Sequence, residues 1–200
     1  MVERTPKKDS NQHNTSFSPV TLSRSPASSQ INLTGSPRVV RDLVANLYNN
    51  IQHWNDSHIK GAQIVKNIAV LKSDNPKCYS SQLEEHTSNL YQVVKDLQML
   101  KNSFDSFKGQ VNALKKLKNP EILFVSLDID SIVDMVETIA NAYLKEFETK
   151  TTVLENIAHC KNDDEAMFFA ACWTMQPCVT SVINLKLEAL LVETGHRNFN

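Results

Sequence analysis

Three long stretches of this chain carry apolar residues at alternating spacings of four and three, a seam that only other helices can bury. In the first, positions 40, 44, 47, 51, 54, 58, 61, 65 and 68 read Val, Val, Leu, Ile, Trp, His, Gly, Val and Ile. In the second, positions 83, 86, 90, 93, 97, 100, 104, 107, 111 and 114 read Leu, His, Leu, Val, Leu, Leu, Phe, Phe, Val and Leu. The third runs through Ile132, Val136, Ile139, Tyr143, Phe147, Leu154 and Ile157. Helices of this length extend roughly 45–50 Å, and stripes that long need partners along their whole extent. The expected fold is all-α: an elongated antiparallel helical bundle or coiled coil of three long helices plus two short C-terminal helices.

Local signals set the boundaries. Residues 1–37 are rich in Ser, Thr, Asn and Pro with no apolar period, so they are expected to form a disordered tail ahead of a helical domain over 38–200. Ser36 suits an N-cap and Pro37 the first helical position. The first helix is expected over about 38–72, with a joint at 55–61 where His58 and Gly61 interrupt the seam and Asn55-Asp56-Ser57 offers a new cap. Ser81 and Glu84 form a capping box for the second helix, which Asn119-Pro120 closes before an apolar linker at 121–127. A third helix is expected from Asp128 to His159, and short ones over Glu165–Met175 and Pro177–Thr194, the last ending at a C′ glycine, Gly195. The two short helices are expected to cover an end of the bundle.

Composition excludes several functions. The chain of 200 residues holds only four glycines, too few for phosphate loops, Rossmann turns and nucleophile elbows, and carries no zinc-protease, Walker or hydrolase motif. A net charge of -1 argues against a broad basic surface for direct nucleic-acid binding, and no apolar run approaches the ~20 residues of a membrane span. The first residues lack the apolar core of a secretory signal, so a reducing compartment, cytosol or nucleus, is expected. Cys78, Cys160, Cys172 and Cys178 form no Cys-x-x-Cys pair. His159-Cys160 with Cys172 and Cys178 has the wrong spacing for the usual zinc loops, and the thiols read as core residues. Asp128, Asp130, Asp163 and Asp164 sit at helix starts and read as caps. No catalytic residue, metal or cofactor is assigned.

The tail suggests regulation. Its four prolines all follow a hydroxyl residue, in Thr5-Pro6, Ser18-Pro19, Ser25-Pro26 and Ser36-Pro37, the dipeptide that proline-directed kinases accept in an extended chain. Thr5 ranks first because Lys7 and Lys8 follow it.

Near the C-terminus, Trp173-Thr174-Met175-Gln176-Pro177, Leu185-Lys186-Leu187-Glu188 and Leu190-Leu191-Val192-Glu193-Thr194-Gly195-His196-Arg197 resemble the end of the cyclin-dependent kinase 2-interacting protein family. The likeness continues through Tyr143-Leu144-Lys145-Glu146, Lys150 and Ala158-His159. In the first helix it covers Trp54, Gly61 and Asn67-Ile68-Ala69-Val70-Leu71-Lys72, and at the N-terminus Thr5-Pro6 with its basic residues. About half the chain matches by residue; the second helix and the linker match by pattern only. The resemblance implies a nuclear, non-catalytic adaptor. Its implied partners are a cyclin-dependent kinase and the origin-firing kinase in DNA replication, the ATR and ATRIP checkpoint kinase, and AAA ATPase subunits of a complex acting in ribosome maturation and at replisomes. Trp54, Trp173, Gln176, Pro177 and the string Glu193, Thr194, Gly195, His196 and Arg197 are the expected partner-binding residues. Trp173 and the Gln176-Pro177 bend would fold the last two helices together and present the string on a rigid edge. The heptads alone equally support a structural coiled-coil subunit of a tethering or kinetochore-like assembly. An enzyme of unrecognised type is disfavoured by the glycine count.

Overall fold

A computed structural model describes residues 35–74, 79–116, 123–124 and 126–197 of the chain. Within them the protein is all-α: α1 (Ser36–Asp74), α2 (Ser81–Lys115), α3 (Ile129–Asn156, continued by a 3-10 turn Ile157–His159), α4 (Asp163–Met175) and α5 (Ser181–Glu193). The expected tail, apart from residues 35–37, lies outside the described residues.

The helices start where side chains can bond their free N–H groups. The Ser80 hydroxyl accepts from Leu83 N at 3.2 Å, so the cap of α2 lies one residue before the expected Ser81. Asp128 caps α3 by accepting from Ser131 N at 2.8 Å, and hydrogen bonding by the Ser131 side chain, then by its backbone, holds the carboxyl below the usual carboxylate range. Asn162 caps α4 by accepting from Glu165 N at 2.8 Å, and the Glu165 carboxylate reaches back to Lys161 N at 2.8 Å. Helix α1 begins at Ser36, with Gly35 in the capping position, and so one residue ahead of expectation. Helix α5 begins at Ser181 rather than Pro177, after an irregular turn. Linker residues Leu123, Phe124 and Leu127 pack against the core.

Helices α1, α2 and α3 run up, down and up, with α2 packed on both of the others. Cross-links in opposed order fix the antiparallel pairing of α2 and α3: Lys108 to Asn141 at 2.8 Å, Asn112 to Glu137 at 2.6 Å and Lys115 to Asp130 at 2.9 Å. The two short helices do not cover an end. Helix α4 packs on α1 and α3, and α5 on α3 and α1. Trp173 of α4 bonds His58 of α1, whereas the residues after α5 reach Arg41 and Tyr48, further toward the start of α1. Together α4 and α5 therefore form a fourth, descending helix broken in its middle, completing an up-down-up-down bundle.

The seams of α1 and α2 are buried much as their spacing predicts, but two details differ. Helix α1 is continuous through 55–61. Gly61 is there for contact: a Cβ would fall 2.1 Å from Trp173 Cζ2 and 2.6 Å from Cε2. In α3 the buried seam runs Ile139, Tyr143, Glu146, Lys150, Val153 and Ile157, while Phe147 and Leu154 flank it half-buried. Two charged residues thus occupy successive core positions.

The two α-helical glycines should respond oppositely to alanine. Gly61→Ala must displace Trp173 and should lower the unfolding free energy by about 1–3 kcal/mol, despite better helix propensity. Gly109→Ala meets nothing within 4 Å and should raise it by about 0.5–1 kcal/mol. Urea denaturation of both variants checks the pair.

Candidate functional site

The break between α4 and α5 gathers most of the residues singled out by resemblance. A helix that stops inside a bundle leaves carbonyls without partners behind the break and N–H groups without partners beyond it. At Gln176 the backbone turns through φ 44° and ψ 64°, a left-handed conformation that costs an ordinary residue roughly 1–2 kcal/mol. The surroundings hold it there. The Gln176 carbonyl accepts from Val179 N at 2.9 Å, and its side-chain Oε1 accepts from Trp54 Nε1 at 3.0 Å.

Glu146 and Lys150, one turn apart on α3, answer the two sides of the break. Both side chains are 0% exposed, with Lys150 Nζ 3.0 Å from Glu146 Oε1. The ammonium donates to the Trp173 carbonyl in the last turn of α4, where the helix dipole favours a cation. Glu146 Oε2 accepts from the backbone N–H of Cys178, 3.1 Å away in the turn beyond. The ammonium also lies 4.7 Å from the centre of the Trp173 ring. Burial pushes the Lys150 pKa down and the Glu146 carboxylate draws it back up. Burial, with a smaller contribution from Glu146, raises that of the Tyr143 hydroxyl.

An aromatic cluster packs beneath Gln176. Trp54 meets Tyr143 edge-on at 5.3 Å and Phe104 at 6.1 Å, and Phe104 stacks on Tyr143 at 4.7 Å. Trp173 lies on Gly61 and donates from Nε1 to the His58 carbonyl at 3.1 Å. The His58 ring is half-buried, and its Nδ1 has no hydrogen-bond partner. Burial, aided by the Lys150 charge, lowers its pKa to about 4.

Helix α5 ends in a Schellman motif. Gly195, at φ 72°, donates to Val192 O at 3.0 Å and His196 N donates to Leu191 O at 2.8 Å. His196 Nε2 then sits 2.9 Å from the Arg41 carbonyl, which fixes the proton on that nitrogen. Burial lowers the pKa of this ring as well. The Arg197 guanidinium pairs with Glu188 and donates to the Tyr48 hydroxyl at 3.0 Å. Glu193 accepts from Ser126, and Thr194 Oγ1 donates to Leu190 O at 2.7 Å. A cleft of 440 Å³ opens beside Arg197 and Glu188, with Gln52, Asn55, Asn184 and Met175 on its walls.

The expected partner-binding residues therefore divide. Trp54, Trp173 and Thr194 are buried and position the others; Gln176, Glu193, His196 and Arg197 are half-buried; Pro177 and Gly195 are exposed. The last two helices do not fold chiefly against each other, as expected, but each seats on α1 and α3. Of the phosphorylation candidates, Thr5, Ser18 and Ser25 lie outside the described residues, and Ser36 opens α1. Cys78 is also outside them; Cys160 is buried and Cys172 and Cys178 are half-buried, all as free thiols. Among the described residues no three His, Cys, Asp or Glu side chains gather as a metal site.

The chain is similar to curated proteins called cyclin-dependent kinase 2-interacting protein. It is 23% identical to that of Xenopus laevis over 198 residues, 25% to that of Homo sapiens over 195 and 24% to that of Bos taurus over 196. Each match covers 82% of this chain and 92% of the relative. No model of a known protein family matches it. The comparisons support a distant relationship to these kinase-interacting proteins, whose names describe interaction rather than catalysis.

Two predictions follow from the buried pair and its neighbour. Glu146→Gln or Lys150→Met leaves one buried charge unanswered and should cost about 3–5 kcal/mol. Replacing both by Leu should not recover it, because the Trp173 carbonyl and Cys178 N–H lose their partners at about 1–3 kcal/mol each; denaturant titration of the double-mutant cycle measures this. His58 takes a proton near 6.5 in the unfolded chain and only at about 4 in the folded one. The unfolded state thus binds more protons between those values, and stability falls as pH falls through that window. The Tm drop from about pH 7 to about pH 5 should be smaller in His58→Gln than in the wild type; equal drops would contradict it.

Proposed function

We propose that this protein is a non-catalytic helical adaptor that binds a cyclin-dependent kinase. The observation that carries the reading is the similarity to proteins named for that interaction, spread over 82% of the chain. The geometry is compatible with it: the polar residues around the helix break hold α4 and α5 in place, and α5 presents a fixed edge at Glu188, His196 and Arg197.

The finer reading extends this role to the nucleus, where the adaptor would link the cyclin-dependent kinase and the origin-firing kinase to DNA replication. It would also serve the ATR and ATRIP checkpoint kinase, and AAA ATPase subunits in ribosome maturation and replisome handling. What supports it is the family resemblance of the segments around Trp173 and Glu193–Arg197. In this reading the exposed atoms of Pro177, Gly195, His196 and Arg197 face the partner, Trp54 and Trp173 hold them, and Thr5 is the preferred phosphorylation site.

Size-exclusion chromatography of the full chain mixed with a purified cyclin-dependent kinase, with and without its cyclin, tests the central claim. A stoichiometric complex is expected, without turnover of the adaptor itself. Separate elution of the two under both conditions would reject kinase binding.

A further inference from the structure

The end of the bundle remote from Arg197 carries a groove that none of the interactions at the helix break uses. It lies between the first turns of α2 and the last turns of α3, measures 700 Å³, and has Leu83, Leu154 and Ala158 at its base. Tyr79 and Tyr91 stand along it, 68% and 60% exposed, and Glu84 and Glu155 add carboxylates at its margin. This is the size and mixture of a ligand site: an apolar floor with a few fixed polar groups. Tyrosines that offer a large ring at little entropic cost are enriched where proteins meet.

Two features indicate what the groove takes. Glu155 lies in the last turn of α3, where the helix dipole disfavours a carboxylate and no basic residue stands in the same turn. Among the described residues it enters no ion pair. Two of the local hydroxyls are committed: Ser80 caps α2, and Thr87 Oγ1 donates to Leu83 O at 2.8 Å. Tyr79 is held in place, with the Lys72 ammonium 4.8 Å from its ring centre and the His159 ring 6.3 Å away. What remains open is apolar surface, the hydroxyls of Ser88 and the tyrosines, aromatic face and negative charge.

We propose that this groove docks a short segment of a partner protein carrying an aliphatic side chain next to Arg or Lys. The aliphatic group packs on Leu83 and Leu154 beside the two tyrosines. The cation reaches Glu155 and Glu84 across an aromatic face, which attracts it as well. An acidic segment would meet two like charges and is rejected. The proposal deepens the adaptor reading by assigning one surface to one class of partner, and its test does not involve the kinase.

The probe is a fluorescein-labelled peptide in which two leucines are flanked by arginines, titrated with the full chain and followed by anisotropy. Two control peptides carry glutamates for the arginines or alanines for the leucines. The arginine–leucine peptide should bind, and both controls should bind at least about tenfold more weakly. Glu84→Gln with Glu155→Gln, and separately Ser88→Arg at the groove wall, should each weaken it at least about fivefold while circular dichroism shows the helices retained. Unchanged affinity in both variants, or equal binding of the glutamate peptide, overturns the proposal. Binding that appears only after deletion of residues 1–34 assigns the groove to the chain's own N-terminal segment and also overturns it. So does a dimer, seen by light scattering, that Ser88→Arg dissolves. If the peptide binds as described but the kinase does not, the groove stands and the kinase reading falls; the reverse result removes the groove alone.

Discussion

Breaking a helix in the middle of a bundle is costly, because the backbone groups that face the interior at the break lose their helical partners. Here one ion pair on a neighbouring helix answers both sides. Lys150 takes the Trp173 carbonyl at the end of α4, and Glu146 takes the Cys178 N–H before the start of α5. The pair is doubly constrained, since neither charge reaches solvent and each neutralises the other. The position of Trp173, the left-handed turn at Gln176 and the direction of α5 all follow from this arrangement.

From that point the constraint spreads to both ends of the bundle. Trp173 lies on α1 only because residue 61 has no side chain, and Trp54 binds the Gln176 amide from the next turns of the same helix. With the break anchored, α5 descends along α3, where Lys186 pairs with Asp134 at 2.9 Å. Its end then closes on Arg41 and Tyr48. The string Glu193–Arg197, noticed as a resemblance, thus has a structural use for each of its residues. A partner touching this edge would meet atoms already held in place, which limits the entropy lost on binding.

Periodicity made the long helices legible, and cap chemistry placed their starts within a residue or a few. The seams of α1 and α2 could be read because their buried positions are mostly apolar. In α3 the reading slid to Phe147 and Leu154, since a seam that passes through Glu146 and Lys150 contradicts the hydrophobic pattern on which it relies. A Glu and a Lys four apart at two consecutive seam positions was the available signal. Gly61 looked like a joint because sequence shows a missing side chain but not the ring that fills its place. Helices α4 and α5 are apolar on most of their circumference, so no stripe told which way they faced. The α1 partners of His196 and Arg197 lie 155 and 149 residues away, and the groove between α2 and α3 is likewise assembled from distant turns. Neither leaves a local pattern.

The two seam charges also bear on the order in which the chain acquires its structure during synthesis. All of α1, α2 and α3 leaves the ribosome before residues 173–178 do, so for that interval Glu146 and Lys150 have no helix break to serve. Hydrated, they interrupt the apolar stripe of α3 at its centre and disfavour premature pairing of that stripe with another hydrophobic surface. Only Trp173 and Cys178 bring the backbone groups that let both charges enter the interior. The segment that completes the bundle is thus the one that supplies both buried charges with their backbone partners.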